Sequence, residues 1–139
     1  MQLFQPLPKI IAIMLREQKK ILKEVGMYVY ENLKSNKILI NKPEGGFYLM
    51  PEFINSKFST SSEMCKNIIN ETGVALLPGS DFGFPQNKML ARLSFTDFDG
   101  EKFLNNTSGC KEINQDILSK FAPNVLEGVS KLKHWAENI

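Results

Sequence analysis

A long periodic segment near the start of the chain, at about residues 10–33, most constrains the fold. Apolar residues recur there three or four positions apart, at Leu22, Val25, Val29 and Leu33. This spacing predicts an amphipathic helix, with a bend near Gly26. Pro6 and Pro8 limit how early that helix can begin. Because a helix with one apolar face must pack that face against another layer, the chain requires a shared core.

Short apolar runs separated by turn-forming residues follow this helix. Runs at 38–40 and 47–50 flank the sequence Asn-Lys-Pro-Glu-Gly-Gly at 41–46, and Pro51 follows the second run. This pattern predicts a hairpin-like pair of β-strands that ends at the proline.

The next part of the chain predicts a helix and then a buried strand. Thr60 and Glu63 have the spacing of a capping box, which predicts the start of a helix, and Gly73 is a typical helix end. A buried strand is predicted at 74–77 and ends at Pro78-Gly79. Residues 78–88 are rich in Gly, Pro and Asn and predict a loop.

The last third of the chain predicts one more strand and several helices. The strand is expected at 89–95, and Thr96 or Asp97 is expected to cap a short helix that ends at Leu104. After a loop at 105–109, two helices separated by Pro123 complete the chain. Helices alternating with short strands predict an α+β fold with a small sheet.

Bulk composition excludes several classes of function. The chain has 139 residues, of which 42% are hydrophobic and 23% charged, as in a globular protein with one core. A net charge of +2 leaves no basic surface for nucleic acid or an anionic membrane. No apolar run reaches the roughly 20 residues that span a bilayer, and no signal peptide is recognisable.

The cysteines and the histidine predict neither a disulfide nor a metal site. Cys65 and Cys110 lie far apart and are interpreted as reduced residues, which favours a cytoplasmic protein. His134 stands alone in a helical pattern and is interpreted as a surface residue. With one histidine and no CxxC spacing, we expect no metal.

Three segments could carry chemistry, and the one at 91–95 is the most specific. Strand alternation places one set of residues on the core side, Ala91, Leu93 and Phe95, and leaves Arg92 and Ser94 on the other side. Arg92 is then either a solvated charge or an anion receptor, because a guanidinium matches a carboxylate with two parallel hydrogen bonds.

The other two segments are rich in glycine. Gly45 and Gly46 precede a strand, where they either form a turn or let the backbone approach another object closely. The segment from Leu77 to Gly83 is a strand followed by a loop with Ser and Asp, which places polar groups at a sheet edge. It is not a phosphate-binding P-loop, because Lys88 does not follow a glycine.

Taken together and in order, these segments resemble the C-terminal domain of the class I and II aminotransferases, pyridoxal phosphate (PLP) enzymes of fold type I. The segments are KPEGGFYLMPEF (42–53), TGVALLPGSDFG (72–83) and ARLSFTDFDG (91–100), preceded by the helix EVGMYVYENLKS (24–35). The resemblance covers about residues 10–104. It implies a small, mainly antiparallel sheet packed against helices, with a lead-in segment at 1–9, the domain at 10–139 and its last helices from about 112.

The resemblance also implies a role for three residues. Arg92 falls at the family's arginine that binds the substrate α-carboxylate, and Gly45 and Gly46 fall where the small domain closes near the substrate. Pro78, Gly79 and Ser80 look structural. The substrates implied are an amino acid and a 2-oxo acid.

Other parts of the family pattern are missing from these 139 residues. Its PLP-binding lysine precedes a Pro-Gly-x-Arg-like stretch, and none of Ser56-Lys57, Ser119-Lys120 or Ser130-Lys131 is followed by one. We therefore expect no large PLP-binding domain, no catalytic or cofactor-binding residue, no covalently bound PLP and no activity in this chain alone.

Several alternatives stay open at this point. The chain could be part of an aminotransferase subunit, a non-enzymatic carboxylate-binding or protein-interaction module, or one half of a split fold type I enzyme. Within the enzyme interpretation, a decarboxylase, lyase or synthase shares the same domain. Without a large domain, we expect self-association through apolar residues near the start, namely Leu3, Phe4, Leu7, Ile10 and Ile11.

Overall fold

The computed structural model describes residues 6–54, 56–110 and 112–139. The helices in this part of the chain are α1 (Pro6–Leu33), α2 (Ser61–Thr72), α3 (Gly100–Thr107), α4 (Gln115–Phe121) and α5 (Pro123–Glu137), with a short 3-10 helix at Gly79–Phe82. The strands are β1 (Ile38–Leu39), β2 (Tyr48–Leu49), β3 (Glu52–Phe53), β4 (Leu77–Pro78) and β5 (Ala91–Ser94). All paired strands are antiparallel, so the predicted α+β fold with a small antiparallel sheet is confirmed.

Helix α1 contains the predicted periodic segment and begins four residues earlier, at Pro6. Proline is tolerated in a first turn because the N–H groups there have no partner within the helix. Three residues of the predicted apolar face are buried, Val25, Val29 and Leu33. The bend near Gly26 stays a prediction. What the structure places at Gly26 is the Phe95 ring, whose Cζ would lie 3.0 Å from an added Cβ.

The predicted hairpin between 38–40 and 47–50 is wrong. Strand β1 pairs with β3, with Ile38 opposite Phe53, while β2 pairs with β5, with Leu49 opposite Leu93. The two runs therefore join different sheets. Each strand has only two residues, so the few hydrogen bonds within a local hairpin compete poorly with burial of Leu49 in the core.

The three-stranded sheet has the order β2-β5-β4, with β5 in the centre. Its third strand differs from the predicted buried strand at 74–77. The ladder begins only at Leu77, whose side chain is 51% exposed, because Leu77 lies opposite Arg92 on the outer side of the sheet. The predicted strand at 89–95 is confirmed at its centre, Ala91–Ser94.

The predicted start and end of α2 are confirmed. Thr60 caps the helix through its side-chain oxygen, which accepts a hydrogen bond from the Glu63 N–H at 3.1 Å. The Glu63 carboxylate accepts from the Ser59 N–H at 3.4 Å, one residue earlier than a standard capping box. Gly73 ends the helix in the left-handed conformation, with φ of 77°.

Helix α3 corrects the expected cap and the loop after it. Its cap is Asp99, not Thr96 or Asp97, and the Asp99 carboxylate accepts from the Lys102 N–H at 3.1 Å. The helix continues through Thr107, a part of the chain expected to be a loop. Thr107 is 1% exposed and its hydroxyl donates to the Phe103 carbonyl at 2.8 Å, so burial favours the extra turn.

Helices α1, α2 and α5 enclose the core. The Trp135 ring in α5 lies edge-on to Phe53 and is stacked on Phe58, and its N–H donates to the Asn67 side chain at 2.9 Å. His134 is exposed in α5, as predicted. None of the helices in the described ranges is long and apolar enough to cross a membrane.

Candidate functional site

The two sides of β5 differ as strand alternation predicts. Ala91, Leu93 and Phe95 are buried in the core, whereas Arg92 is half-buried and Ser94 is exposed. Residues opposite each other in an antiparallel ladder share a face, so Leu77 of β4 and Tyr48 of β2 stand beside Arg92 and Ser94. We call this side, with its 3-10 helix, the outer face of the sheet.

Arg92 contacts two aromatic rings on the outer face. Its guanidinium carbon lies 4.5 Å from the centre of the Tyr48 ring and 5.0 Å from the centre of the Phe82 ring. Both distances are typical of cation–π contacts. No carboxylate of the described residues lies within 4 Å of the guanidinium, so these rings are its described side-chain partners.

The 3-10 helix after β4 places Phe82 beside Arg92. The Gly79 N–H donates to the Leu90 carbonyl at 2.7 Å, and an added Cβ at Gly79 would lie 2.9 Å from that oxygen. The helix ends at Gly83, which has φ of 89°. A side chain at Gly79 would therefore push this turn away from β5.

Gly45 and Gly46 lie in the exposed connection that leads into β2. Their φ angles are 143° and 79°, values that favour glycine, and an added Cβ at either position would meet nothing within 4 Å. The structure does not bring them into a described contact with Arg92. Their link to it is Tyr48, which lies two residues after Gly46 and contacts the guanidinium through its ring.

Tyr48 and Phe82 are the residues of this site that sequence reasoning missed. The signal for Tyr48 was its place in the strand after the paired glycines. This position did not indicate a contact with Arg92, because the predicted hairpin paired β2 with the wrong strand. Phe82 had no signal of its own, since its approach to Arg92 depends on the geometry of the 3-10 helix.

The other chemically active side chains do not form a second site. Cys65 is buried and Cys110 is half-buried, and both are free thiols. Burial, with a further contribution from the Asp81 carboxylate, raises the pKa of the Cys65 thiol from 9.0 to about 11, so the thiol is protonated and unreactive at neutral pH. Within the described ranges, no three His, Cys, Asp or Glu residues gather as metal ligands would.

Solved structures of aminotransferases have the same fold as this chain. An alanine aminotransferase from Pyrococcus furiosus superposes with a TM-score of 0.60 at 18% identity, covering 85% of this chain and 24% of its own. An aspartate aminotransferase from Thermotoga maritima superposes with a TM-score of 0.55 at 23% identity, covering 84% and 23%. At these identities the likeness defines the fold alone.

The sequence comparisons then define the family. The sequence pattern of "Aminotransferase class I and II" matches residues 7–104. A probable N-acetyl-LL-diaminopimelate aminotransferase of Bacillus subtilis is 39% identical over 84 residues, which is 60% of this chain and 20% of that protein. An aspartate aminotransferase of Sulfolobus acidocaldarius is 35% identical over 71 residues, which is 48% and 18%. The chain belongs to the class I and II aminotransferase family.

This chain spans about a fifth of the length of the curated relatives that it matches. The family's intact enzymes use PLP, which supplies an electron sink bound through a lysine. None of the described lysines is fully buried: Lys20 and Lys37 are half-buried and donate to main-chain oxygens of Cys110 and Ile139, and the others are exposed.

Proposed function

We propose that this chain is the substrate-carboxylate-binding part of a PLP-dependent aminotransferase, in its C-terminal small domain at residues 10–139. Arg92 binds the α-carboxylate of an amino acid or a 2-oxo acid. Gly45 and Gly46 lie in the segment that approaches the substrate. The residues that hold PLP and move protons belong to a large domain outside this chain, so the chain alone does not transaminate.

The surroundings of Arg92 are the main support for this proposal. The guanidinium has no described carboxylate partner, lies on the half-buried side of a central strand and is held by aromatic rings. A guanidinium in that position can donate two parallel hydrogen bonds to one carboxylate. A strand also aims such a group more precisely than a loop does.

A carboxylate titration of the purified chain tests the role of Arg92. The probe is pyruvate, followed by the backbone N–H signals of β5, which every variant retains. We expect weak, saturable binding, because an exposed ion pair contributes only about 0–1 kcal/mol. Arg92→Ala should abolish the pyruvate-dependent shifts of these signals. The matched control is Arg16→Ala, which removes the only other arginine, an exposed residue of α1. Equal binding by both variants would refute the proposal.

The absence of activity in the isolated chain has its own test. The purified chain is mixed with PLP, reduced with borohydride and digested for mass spectrometry. We expect sparse labelling spread over exposed lysines and no turnover of an amino acid with a 2-oxo acid. One lysine labelled stoichiometrically, with activity lost on its replacement, would contradict the proposal.

Two other functions are distinguished by the same protein. A stand-alone carboxylate-binding module would bind pyruvate through Arg92 with an affinity that no added domain improves. One half of a split enzyme would gain transamination when mixed with a separately produced large domain. Restored activity in that mixture favours the split enzyme, and unchanged affinity favours the module.

We propose a cytoplasmic location, which suits two free cysteines.

We further propose that the first half of α1 packs against the large domain and that the isolated chain self-associates through it. Four residues there are about half exposed, Ile11, Ile13, Met14 and Leu15. They adjoin the predicted segment, of which Leu3 and Phe4, and the side chains of Leu7 and Ile10, lie outside the described residues. A cluster of this kind on a helix is typical of an interface.

Light scattering measures this self-association. Ile13→Glu with Leu15→Glu is expected to convert the wild-type oligomer into a monomer, while Ser130→Glu on the exposed side of α5 serves as the control. A wild-type chain that is already monomeric at high concentration would contradict the expectation.

A further inference from the structure

The aromatic partners of Arg92 come from opposite sides of its strand. β5 lies between β2 and β4 in the sheet. Tyr48 belongs to β2, and Phe82 belongs to the 3-10 helix that directly follows β4. The guanidinium therefore contacts one ring from each side of its strand.

This arrangement restricts how the guanidinium can bind. A guanidinium is planar, and its N–H groups point outward in that plane. Arginine stacks its planar group on aromatic faces, and ring centres at 4.5 Å and 5.0 Å from the central carbon are close enough for such stacking. Stacked in this way, the guanidinium keeps its edge as the surface for a ligand. A carboxylate that lies in the same plane can then accept two hydrogen bonds from that edge.

We propose that Tyr48 and Phe82 are positioning residues for Arg92, and that they hold the plane of its guanidinium so that its edge accepts a carboxylate. This inference rests on the proposed function of Arg92 as the carboxylate site. The rings do not touch the reacting atoms, and they act only through Arg92. The Tyr48 hydroxyl plays no part, because the contact is made by the ring.

Three features of the two rings support a role beyond filling space. Tyr48 is 44% exposed and Phe82 is 40% exposed, so neither ring serves to fill the core. Each ring is held by short local structure, Tyr48 by its ladder with Ser94 and Phe82 by the turn that ends at Gly83. Their shared contact is the one cation of β5.

The test compares variants of each ring by side-chain NMR of the full chain labelled with nitrogen-15. Tyr48→Leu and Phe82→Leu remove one ring each. We expect the order parameter of the Arg92 N–H to fall and its ring-current shift to move toward the random-coil value. Pyruvate affinity should weaken about two- to fivefold for each variant, the factor that corresponds to one exposed cation–π contact.

Matched variants separate positioning from general damage. Tyr48→Phe keeps the ring and should bind pyruvate like the wild type. Phe84→Leu is the control for Phe82→Leu, because Phe84 has the same 40% exposure and follows in the same loop, while its described cation contact is Lys88. It should leave both the Arg92 signal and the affinity unchanged.

The outcomes distinguish the two proposals. If Arg92→Ala removes pyruvate binding while both leucine variants keep the wild-type order parameter and affinity, the positioning role is refuted and the carboxylate site stands. If Arg92→Ala and Arg16→Ala bind pyruvate equally, the carboxylate site itself is refuted, and the positioning role with it. Weaker binding by both leucine variants, restored by Tyr48→Phe, supports both.

Discussion

The two sides of β5 differ in how tightly their residues are packed, and the outer side carries the arginine that we propose binds a carboxylate. On the inner side, Phe95 is 2% exposed and packs against Gly26 of α1. On the outer side, Arg92 contacts the partly exposed rings of Tyr48 and Phe82. Inner residues are closely packed, so replacing them should cost folding energy. Outer residues are less enclosed, so replacing them should cost less.

The glycines repeat this contrast. At Gly79, backbone atoms of Leu90 lie so close that no side chain fits. Contacts within the chain therefore explain why glycine is needed there. Gly45 and Gly46 face open space, and only their positive φ angles favour glycine. A close approach at these two positions would have to come from outside the described residues.

The largest expected effect is at Phe95, on the inner side. Phe95→Ala should lower the free energy of unfolding by about 3–5 kcal/mol, because it removes a buried ring and leaves a cavity. Urea denaturation followed by Trp135 fluorescence measures this. Phe95→Leu, which keeps more of the volume, should lose less. A loss below about 1 kcal/mol for the alanine variant would contradict the packing of Phe95 on α1.

A smaller effect is expected at Gly79, the first residue of the 3-10 helix. Gly79→Ala should lower the free energy of unfolding by about 1–3 kcal/mol, because its Cβ would press on the Leu90 carbonyl. Gly100→Ala is the control: its Cβ would meet nothing within 4 Å, and alanine in a helix should stabilise by about 0.5–1 kcal/mol. Equal stability of the two variants would show that the Leu90 backbone does not restrict the side chain at position 79.

The third effect is confined to alkaline pH and reports on Cys65. Burial and the nearby Asp81 carboxylate raise the pKa of this thiol from 9.0 to about 11 in the folded chain. Between those values the unfolded chain binds fewer protons than the folded chain, so stability should fall as pH rises from 9 to 11. The difference in unfolding free energy between wild type and Cys65→Ala isolates this from other groups. A pH-independent difference would show that Cys65 is accessible to water.

The smallest effects on stability are expected on the outer side. Arg92→Ala should lower the free energy of unfolding by at most about 1 kcal/mol, since it removes exposed cation–π contacts only. Ser94→Ala should change it by less than about 0.5 kcal/mol, because the described hydrogen bond of the Ser94 side chain is with the exposed Thr96 hydroxyl, at 3.1 Å. Denaturation curves in urea measure both. A loss at Arg92 as large as that at Phe95 would make Arg92 a structural residue.

The features that the sequence predicted are those controlled by residues close together in the chain. The α1 helix follows from apolar residues three and four apart, the α2 cap from Thr60 and Glu63, and the end of α2 from Gly73. The alternation at β5, which places Arg92 outside, follows from a period of two. The errors at the α3 cap and at the predicted hairpin arose where several local partners were equally suitable.

The sequence by itself determined the α+β class, the side of β5 on which Arg92 stands and the family resemblance. Each of these depends on residue type and spacing along the chain. Only the tertiary structure decided that β2 pairs with β5 and not with β1, and that Tyr48 and Phe82 meet at Arg92. Those contacts join residues up to 46 positions apart, as Tyr48 and Ser94 are. Two-residue strands have too few hydrogen bonds of their own to choose a partner, so burial of the whole core makes that choice.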